Sequence, residues 1–427
     1  MHILKGYTKQ EISWMMYDWA NSAHSVIIVT LLPIFFDTVA GYTADSVSSM
    51  STWGYATSIA MLIVALAAPF LGVFGDIRGM RKKLFSFFML LGVAACAGMA
   101  FTPGMDFTSG PVAAGKVASL ILVLYIVSVI GFDASAIYYD AFLTDVTTED
   151  RMDKVSTMGY GLGYIGGSTI PLLIFLIMNL VGVPMLTCLA FVFGLTAVWW
   201  LAFSLPLLKN CEQTSGKPYE KGDVARSIKG VGTTIKEIIA NKPMLIYILS
   251  YFFYIDGVHT VISMATTYGT NLGLDSTGMM LALLLVQILG LPFCLLYIKC
   301  SEKFGARTMV GFGICVYMFI CIFAFFMNSL WQFWVLAVLC ATSQGGIQAL
   351  SRSMYGKLIP DKDRSGEFFG FFDIFGKFAD FFGPLILTAA ALIFQSSRYG
   401  ILALIILFII GYWMVDKVHK IDTANVK

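Results

Sequence analysis

Seven ionisable side chains stand inside runs that are otherwise apolar: Asp18, Asp133, Asp140, Asp256, Asp373, Lys377 and Asp380. His24 and His259 share that setting. A charge at the centre of a membrane helix costs roughly 2.5–3.5 kcal/mol on insertion scales, so such groups face protein or water and mark ion or solute paths. A desolvated carboxyl can take up and release a proton near neutral pH, and an imidazole one turn away can relay it. Asp256 and His259 lie one turn apart, which makes Asp256 the first candidate for proton coupling. Asp133 is the second, with His259 and His24 assisting. Asp18, Asn21, His24, Asp133, Asp256, Gln287, Gln344 and Gln348 form the polar set from which a solute site can be built. Asp373, Lys377 and Asp380 are spaced i, i+4 and i+7, so they can neutralise one another as an intramembrane charge network. Asp140 lies nearer the end of its run, where gating is the plainer role, and is within reach of Arg81.

The elements that must position these groups are helices in a bilayer. The chain has 427 residues, 58% hydrophobic and 13% charged, with mean hydropathy +0.79. Soluble domains run nearer 25% charged. A span needs about 20 mostly apolar residues. Twelve runs qualify, over 12–36, 52–75, 84–102, 117–144, 155–178, 184–208, 243–270, 276–299, 307–328, 331–357, 366–395 and 398–416. The first is read as a retained span, since no small-residue cleavage site follows a short apolar stretch. Lys and Arg cluster in alternate loops and at both termini, while the opposite loops keep only Lys116 and Arg398. The positive-inside rule then places both termini in the cytoplasm, of a plasma membrane.

Several classes of function find no support. A net charge of +2 and the lack of a basic, aromatic-interleaved patch argue against nucleic acid. The eight cysteines form neither CxxC pairs nor Cys/His clusters, so no metal, cofactor or disulfide framework is expected. Gly159, Gly163 and Gly167 form a small-residue stripe for helix packing rather than a phosphate loop, so no nucleotide site is read. No catalytic constellation stands in a plausible setting, and an enzyme is not expected.

The longest polar segment, 209–242, divides the chain into halves 1–208 and 243–427, each with six runs. Val224, Ile228, Val231, Ile235 and Ile238 recur there at helical spacing among basic residues, the pattern of an amphipathic helix on a membrane surface. The halves echo each other. Asn21-Ser-Ala-His24 answers Asp256-Gly-Val-His259, and Asp150-Arg151 with Gly163 and Pro171 answers Asp363-Arg364 with Gly376 and Pro384. Asp76-x-x-Gly79-x-Arg81 answers Glu302-x-x-Gly305-x-Arg307. Repeats of this kind let two halves rock about a site between them. Gly72, Asp76, Gly79, Arg81, Asp140, Glu302, Arg307, Arg352 and Arg364 are the candidate gating residues.

The segment Gly72-Val-Phe-Gly-Asp76-Ile-Arg-Gly79-Met-Arg81-Lys82 resembles the loop signature of the major facilitator superfamily. Tyr17-Asp18-Trp19-Ala20-Asn21-Ser22-Ala23, Asp256-Gly257, Gly345 to Ser353, Leu358-Ile-Pro360, Gly366 to Asp373 and Gly383-Pro384 are similar to the autophagy-related vacuolar amino-acid effluxer-like family, in the form of a bacterial member. The resemblance implies an all-α membrane fold of two six-helix bundles, a cavity lined by spans 1, 4, 7 and 10, and secondary transport of a small solute, amino acids first. Protons are the expected coupling ion and lipid the surrounding medium. A lipid-handling protein or scramblase, and a non-transporting receptor, stay open as alternatives.

Overall fold

In lipid a backbone amide finds no partner except a carbonyl of its own segment, so each apolar run closes into a helix. In the computed structural model, residues 4–43, 46–218 and 223–425 are described, and nearly all are helical. The first half comprises α1 (Lys9–Ala40), α2 (Ser46–Gly75), α3 (Arg81–Met99), α4 (Pro111–Val146), α5 (Met152–Gly163), α6 (Ile170–Leu180) and α7 (Met185–Asn210). A connecting helix, α8 (Asp223–Ala240), leads to α9 (Lys242–Asn271), α10 (Ser276–Phe304), α11 (Ala306–Phe325), α12 (Leu330–Leu358), α13 (Ser365–Ile393), α14 (Ser397–Ala403) and α15 (Ile405–Asn425). Each expected span coincides with a helix or a pair of helices in line. By length and composition, eleven helices among the described residues are apolar enough to cross a membrane. The run read at 366–395 forms α13, 29 residues long, several of whose side chains lie outside the described residues, and it is not counted among the eleven.

α5 runs into α6 through a wide π turn, Tyr164–Thr169. Pro171 cannot donate to the turn behind it, and the Thr169 hydroxyl donates to the Tyr164 carbonyl at 2.8 Å. Gly167 lets α1 come close, since a Cβ there would lie 2.5 Å from the Trp19 carbonyl oxygen. The Tyr164 ring crosses to the second half, filling the space that side chains at Gly290 of α10 and Gly345 of α12 would need.

The buried apolar side chains fall into two clusters. One centres on Trp14, Phe85, Phe142 and Trp200 of α1–α7. The other centres on Tyr247, Tyr317, Tyr355 and Phe408 of α9–α15. Across the seam α2 and α4 pack on α13, and α5 packs on α10 and α12. The amphipathic stretch expected in 209–242 is helical from Asp223, with Ile238 buried and Ile235 exposed. The side chains of Val224 and Ile228 lie outside the described residues.

Candidate functional site

The seam between the halves is held by charge, in three layers. The outermost layer, at the basic end, is the signature loop. Gly79 takes a φ of +80° in the turn after α2, a conformation glycine adopts without strain. This turn brings Arg81, at the first residue of α3, back onto Asp76. Arg81 is fully buried. Its guanidinium donates to Asp76 Oδ1 at 2.9 Å, Asp145 Oδ2 at 2.5 Å, the Ala141 carbonyl at 3.1 Å and the Ser365 hydroxyl at 2.8 Å. Asp76 also reaches across the seam. Its two oxygens accept from the backbone N–H groups of Gly366 (2.7 Å) and Glu367 (2.8 Å), the free donors of the first turn of α13. A carboxylate there satisfies otherwise orphaned amides and meets the positive end of the helix dipole. Asp76 thus caps a helix of the opposite half. The start of the connecting segment straps this layer. Lys217 pairs with the loop through Lys217 N–H to Asp76 O (3.0 Å) and Arg78 N–H to Lys217 O (2.9 Å).

Burial pushes the Asp76 carboxyl up to about 7, beyond what Arg81 and the two backbone donors hold down. When the seam opens, hydration returns it to the ordinary carboxylate range, so the closed seam binds the extra proton. Its contribution to closure is full below that range and is lost as pH rises through about 7. Spin labels at Lys83 and Lys303, in a background without the native cysteines, should therefore move apart between about pH 6 and about pH 8.5. Asp76→Asn should remove that response. A distance that ignores pH in the unsubstituted chain would show that Asp76 does not titrate with closure.

In the second layer Arg352 of α12 enters the first half and is 4% exposed. It donates to Asp18 Oδ2 (3.2 Å) on α1, Asp140 Oδ1 (3.1 Å) on α4 and Ser156 Oγ (3.0 Å) on α5. Its guanidinium carbon lies over the rings of Trp14 (4.6 Å), Tyr160 (4.7 Å) and Tyr139 (5.2 Å). The cage has contacts of its own besides Arg352, since Trp14 stacks on Tyr139 at 4.4 Å and donates to its carbonyl at 2.8 Å. Asp153 extends the contact, accepting from Ser353 Oγ at 2.7 Å and Lys357 Nζ at 2.6 Å.

The third layer is deepest. Lys377 Nζ of α13 donates to Asp133 Oδ1 of α4 at 2.6 Å. The Asp133 side chain is 3% exposed and that of Lys377 17%. Lys377 lines a cavity of about 310 Å³ with Thr57, Ser58, Met61, Leu62 and Phe378. An ion pair of this depth joins the halves and also faces open space.

The other expected site residues are spread more widely. Asp256 is fully buried within the second half, where Oδ1 accepts from Gly383 N–H of α13 at 2.6 Å. His259 is half-buried on the same helix. His24 sits in the core of the first half, with Nε2 3.2 Å from Ser128 Oγ and its ring stacked on Phe132. Asn21 is buried beside it. Gln287 and Gln344 share a cavity of about 90 Å³ inside the second half, and Gln348 donates to the Gln344 carbonyl at 3.2 Å. Asp18 belongs to the Arg352 cage. Among the gating set, Glu302 meets Lys154 at 4.0 Å across the seam, and Arg364 ties Glu367 (3.1 Å) to Glu237 (2.6 Å) of α8. Arg307 lines a wide groove at the basic end. Gly72 lies where α2 and α13 touch, backbone to backbone.

One pairing differs from the sequence reading and one adds to it. Arg81 takes Asp145 instead of Asp140, because it lies level with the last turn of α4, about 7.5 Å beyond Asp140 at 1.5 Å per residue. Lys377 meets Asp133 of the other half, a partner outside the network expected along its own helix. Asp373 lies one turn away on α13, and the Asp380 side chain lies outside the described residues. Asp145, Ser156, Ser365 and the strap at 213–217 were not anticipated. Asp145 alone carried a signal, as an acid in the last turn of a span. No group of His, Cys, Asp and Glu able to hold a metal ion occurs among the described residues.

Two helical halves joined by buried ion pairs, with a largely apolar cavity that Lys377 lines, define a membrane transport protein of the major facilitator fold. A solved structure of the proton:xylose symporter XylE shares that fold over 96% of this chain and 94% of its own, with TM-score 0.72 at 15% identity. Residues 44–425 match the family described as vacuole effluxer Atg22 like, and the chain belongs to that family. An uncharacterised MFS-type transporter of Bacillus subtilis, YxiO, is 42% identical over 432 residues, 99% of this chain and 98% of that one. Autophagy-related protein 22-1 of Penicillium rubens is 24% identical over 272 residues, covering 58% of this chain and 45% of its own, so the chain spans about half the length of that relative.

Proposed function

We propose that the protein is a secondary transporter that moves a small polar or amphipathic solute, amino acids first, coupled to protons by alternating access. In this reading halves 1–208 and 243–427 rock about the seam, with 209–242 as the tether. The observation that carries it is the Asp133–Lys377 pair, a breakable ion pair between the halves whose lysine lines a cavity. Three layers of hydrogen-bonded charge cross the seam beside its tight glycine and Tyr164 contacts, so parting the halves returns buried charge to water. Asp133 takes the coupling role ahead of Asp256. Asp133 joins the two halves, whereas Asp256 accepts a backbone bond within one of them. The basic end is taken as cytoplasmic, which makes this the state closed to the cytoplasm of a bacterial inner membrane.

Purified protein in proteoliposomes should accumulate labelled amino acids when a proton gradient is imposed, and stop when an ionophore collapses it. Lipid flipping without solute uptake would replace this reading with a lipid-handling one. Binding without uptake of any amino acid would indicate a receptor. For orientation, Thr233→Cys on the exposed face of α8 should resist an impermeant thiol reagent added to intact cells. Labelling from outside would invert the topology.

A further inference from the structure

We infer that Lys377 is the receptor for a carboxylate on the transported solute, and that it is released for that task only when Asp133 takes a proton. The inference rests on the transport reading above and assigns the groups that perform it. Exposure sets the order of events. Lys377 lines the cavity and Asp133 does not, so an arriving anion meets the ammonium first. The resting pair is neutral. A carboxylate that joins it adds a negative charge to a site already holding one in Asp133, and a buried carboxylate that has lost its cation is strongly disfavoured. One proton on Asp133 restores neutrality when the carboxylate is the ligand's only charge at the pair, as in acetate or in an amino acid whose ammonium stays in cavity water. The balance is simple: a proton passes from cavity water to a carboxylate oxygen of Asp133. The Lys377 ammonium keeps its protons, and its hydrogen bond moves from Asp133 to the ligand oxygen.

The walls describe the rest of the ligand. Met61, Leu62, Ala65 and Phe378 offer an apolar face, and the hydroxyls of Thr57 and Ser58 a polar edge. About 310 Å³ is at the small end of ligand pockets, so the fit is a small carboxylate with an apolar body. Charged and titratable neighbours among the described residues come from four helices. On α4, Tyr125 shares a contact with Thr57 at 3.3 Å, and Asp140 is engaged by Arg352. On α5, Tyr160 lies over Arg352. On α13, Asp373 lies one turn from Lys377. On α1, His24 faces Ser128 and Phe132.

The test measures proton uptake by the purified protein in weakly buffered detergent solution, as ligand is added. Leucine, isopentylamine (which lacks the carboxylate) and acetate (the bare carboxylate) serve as probes. Leucine and acetate should each draw about one proton per bound ligand, and their affinity should rise as pH falls, by up to about tenfold per unit. Isopentylamine should draw none. Asp133→Asn should bind leucine without proton uptake and without pH dependence, and Lys377→Gln should weaken leucine and acetate at least tenfold while leaving isopentylamine unaffected. Leucine uptake into proteoliposomes combined with no proton uptake from leucine or acetate would overturn the inference and leave the transport reading intact. Proton uptake with acetate but no amino-acid transport would keep the inference and remove amino acids as the solute. Should a variant fail to fold, the unsubstituted protein still decides the matter, because silence with both carboxylates refutes the exchange.

Discussion

Arg352→Gln should open the basic end of the protein. The substitution removes the cation from between Asp18 and Asp140 and leaves two buried acids facing each other. Breaking a buried pair by deleting one partner costs about 3–5 kcal/mol. The penalty falls on the closed seam, because in the open one these acids meet water. At about 1.4 kcal/mol per factor of ten, the closed-to-open ratio falls by about two to three and a half orders of magnitude. Spin labels at Lys83 and Lys303 should report the longer distance as the dominant one, and gradient-driven transport should drop at least tenfold. Arg352→Lys should not restore closure. An ammonium cannot lie flat between the Trp14 and Tyr160 rings while addressing Asp18, Asp140 and Ser156 together. Unchanged label distances in Arg352→Gln would mean that the cage is a passenger of closure.

Gly72→Val should act in the same direction by a different route. A Cβ at position 72 falls on the carbonyl oxygen of Gly366, and one at position 366 would lie 2.6 Å from the Gly72 oxygen. The conflict is with backbone on both sides, so no side chain can turn away to relieve it. Overfilling a packed contact costs typically about 1–3 kcal/mol, and a rigid branched side chain belongs at the upper end. The cost again applies only where α2 meets α13, so the substitution disfavours one conformation and leaves the fold of each half intact. Label distances should lengthen, transport should fall roughly tenfold or more, and the melting temperature should stay close to that of the parent. Gly115→Val is the control, since a Cβ there meets nothing within 4 Å. A closed seam in Gly72→Val would show that α2 and α13 can separate slightly without breaking the Asp76 cap.

Much of this architecture was readable from the chain. Apolar runs of membrane length have a single stable backbone solution, so the helices fall where hydropathy places them. The signature loop announces its turn through Gly79 and its ion pair through Asp76 and Arg81. What stayed hidden is which residue of a distant helix each charge meets. Spacing along a helix shows that Lys377 can reach Asp373. It cannot show that α13 is turned so that Lys377 reaches Asp133, 244 residues away in sequence. The same limit explains Arg81, where a difference of five residues along α4 separates the acid it reaches from the one it misses. Asp256 drew notice as an acid at mid-span, but its bond to Gly383 N–H depends on a close approach of α9 and α13 that only packing reveals. Arg352 read as a gating residue near a helix end, but nothing local foretold that three aromatic rings of the other half would receive it.

The π turn at Tyr164–Thr169 has a mechanical consequence. Tyr164 wedges its ring between Gly290 and Gly345, at a depth well inside the bundle, while Ser156 touches the Ala349 carbonyl (2.8 Å) and Arg352 nearer the basic end. Eight residues separate the two contacts along α5, an arm of about 12 Å at 1.5 Å per residue. With the ring as fulcrum, a tilt of about 10° displaces the Ser156 end by about 2 Å, enough to break a hydrogen bond. The far end of the same lever must swing the opposite way. In the transport mechanism proposed above, one opening would close as the other parts, and the chain would alternate between them without both standing open at once.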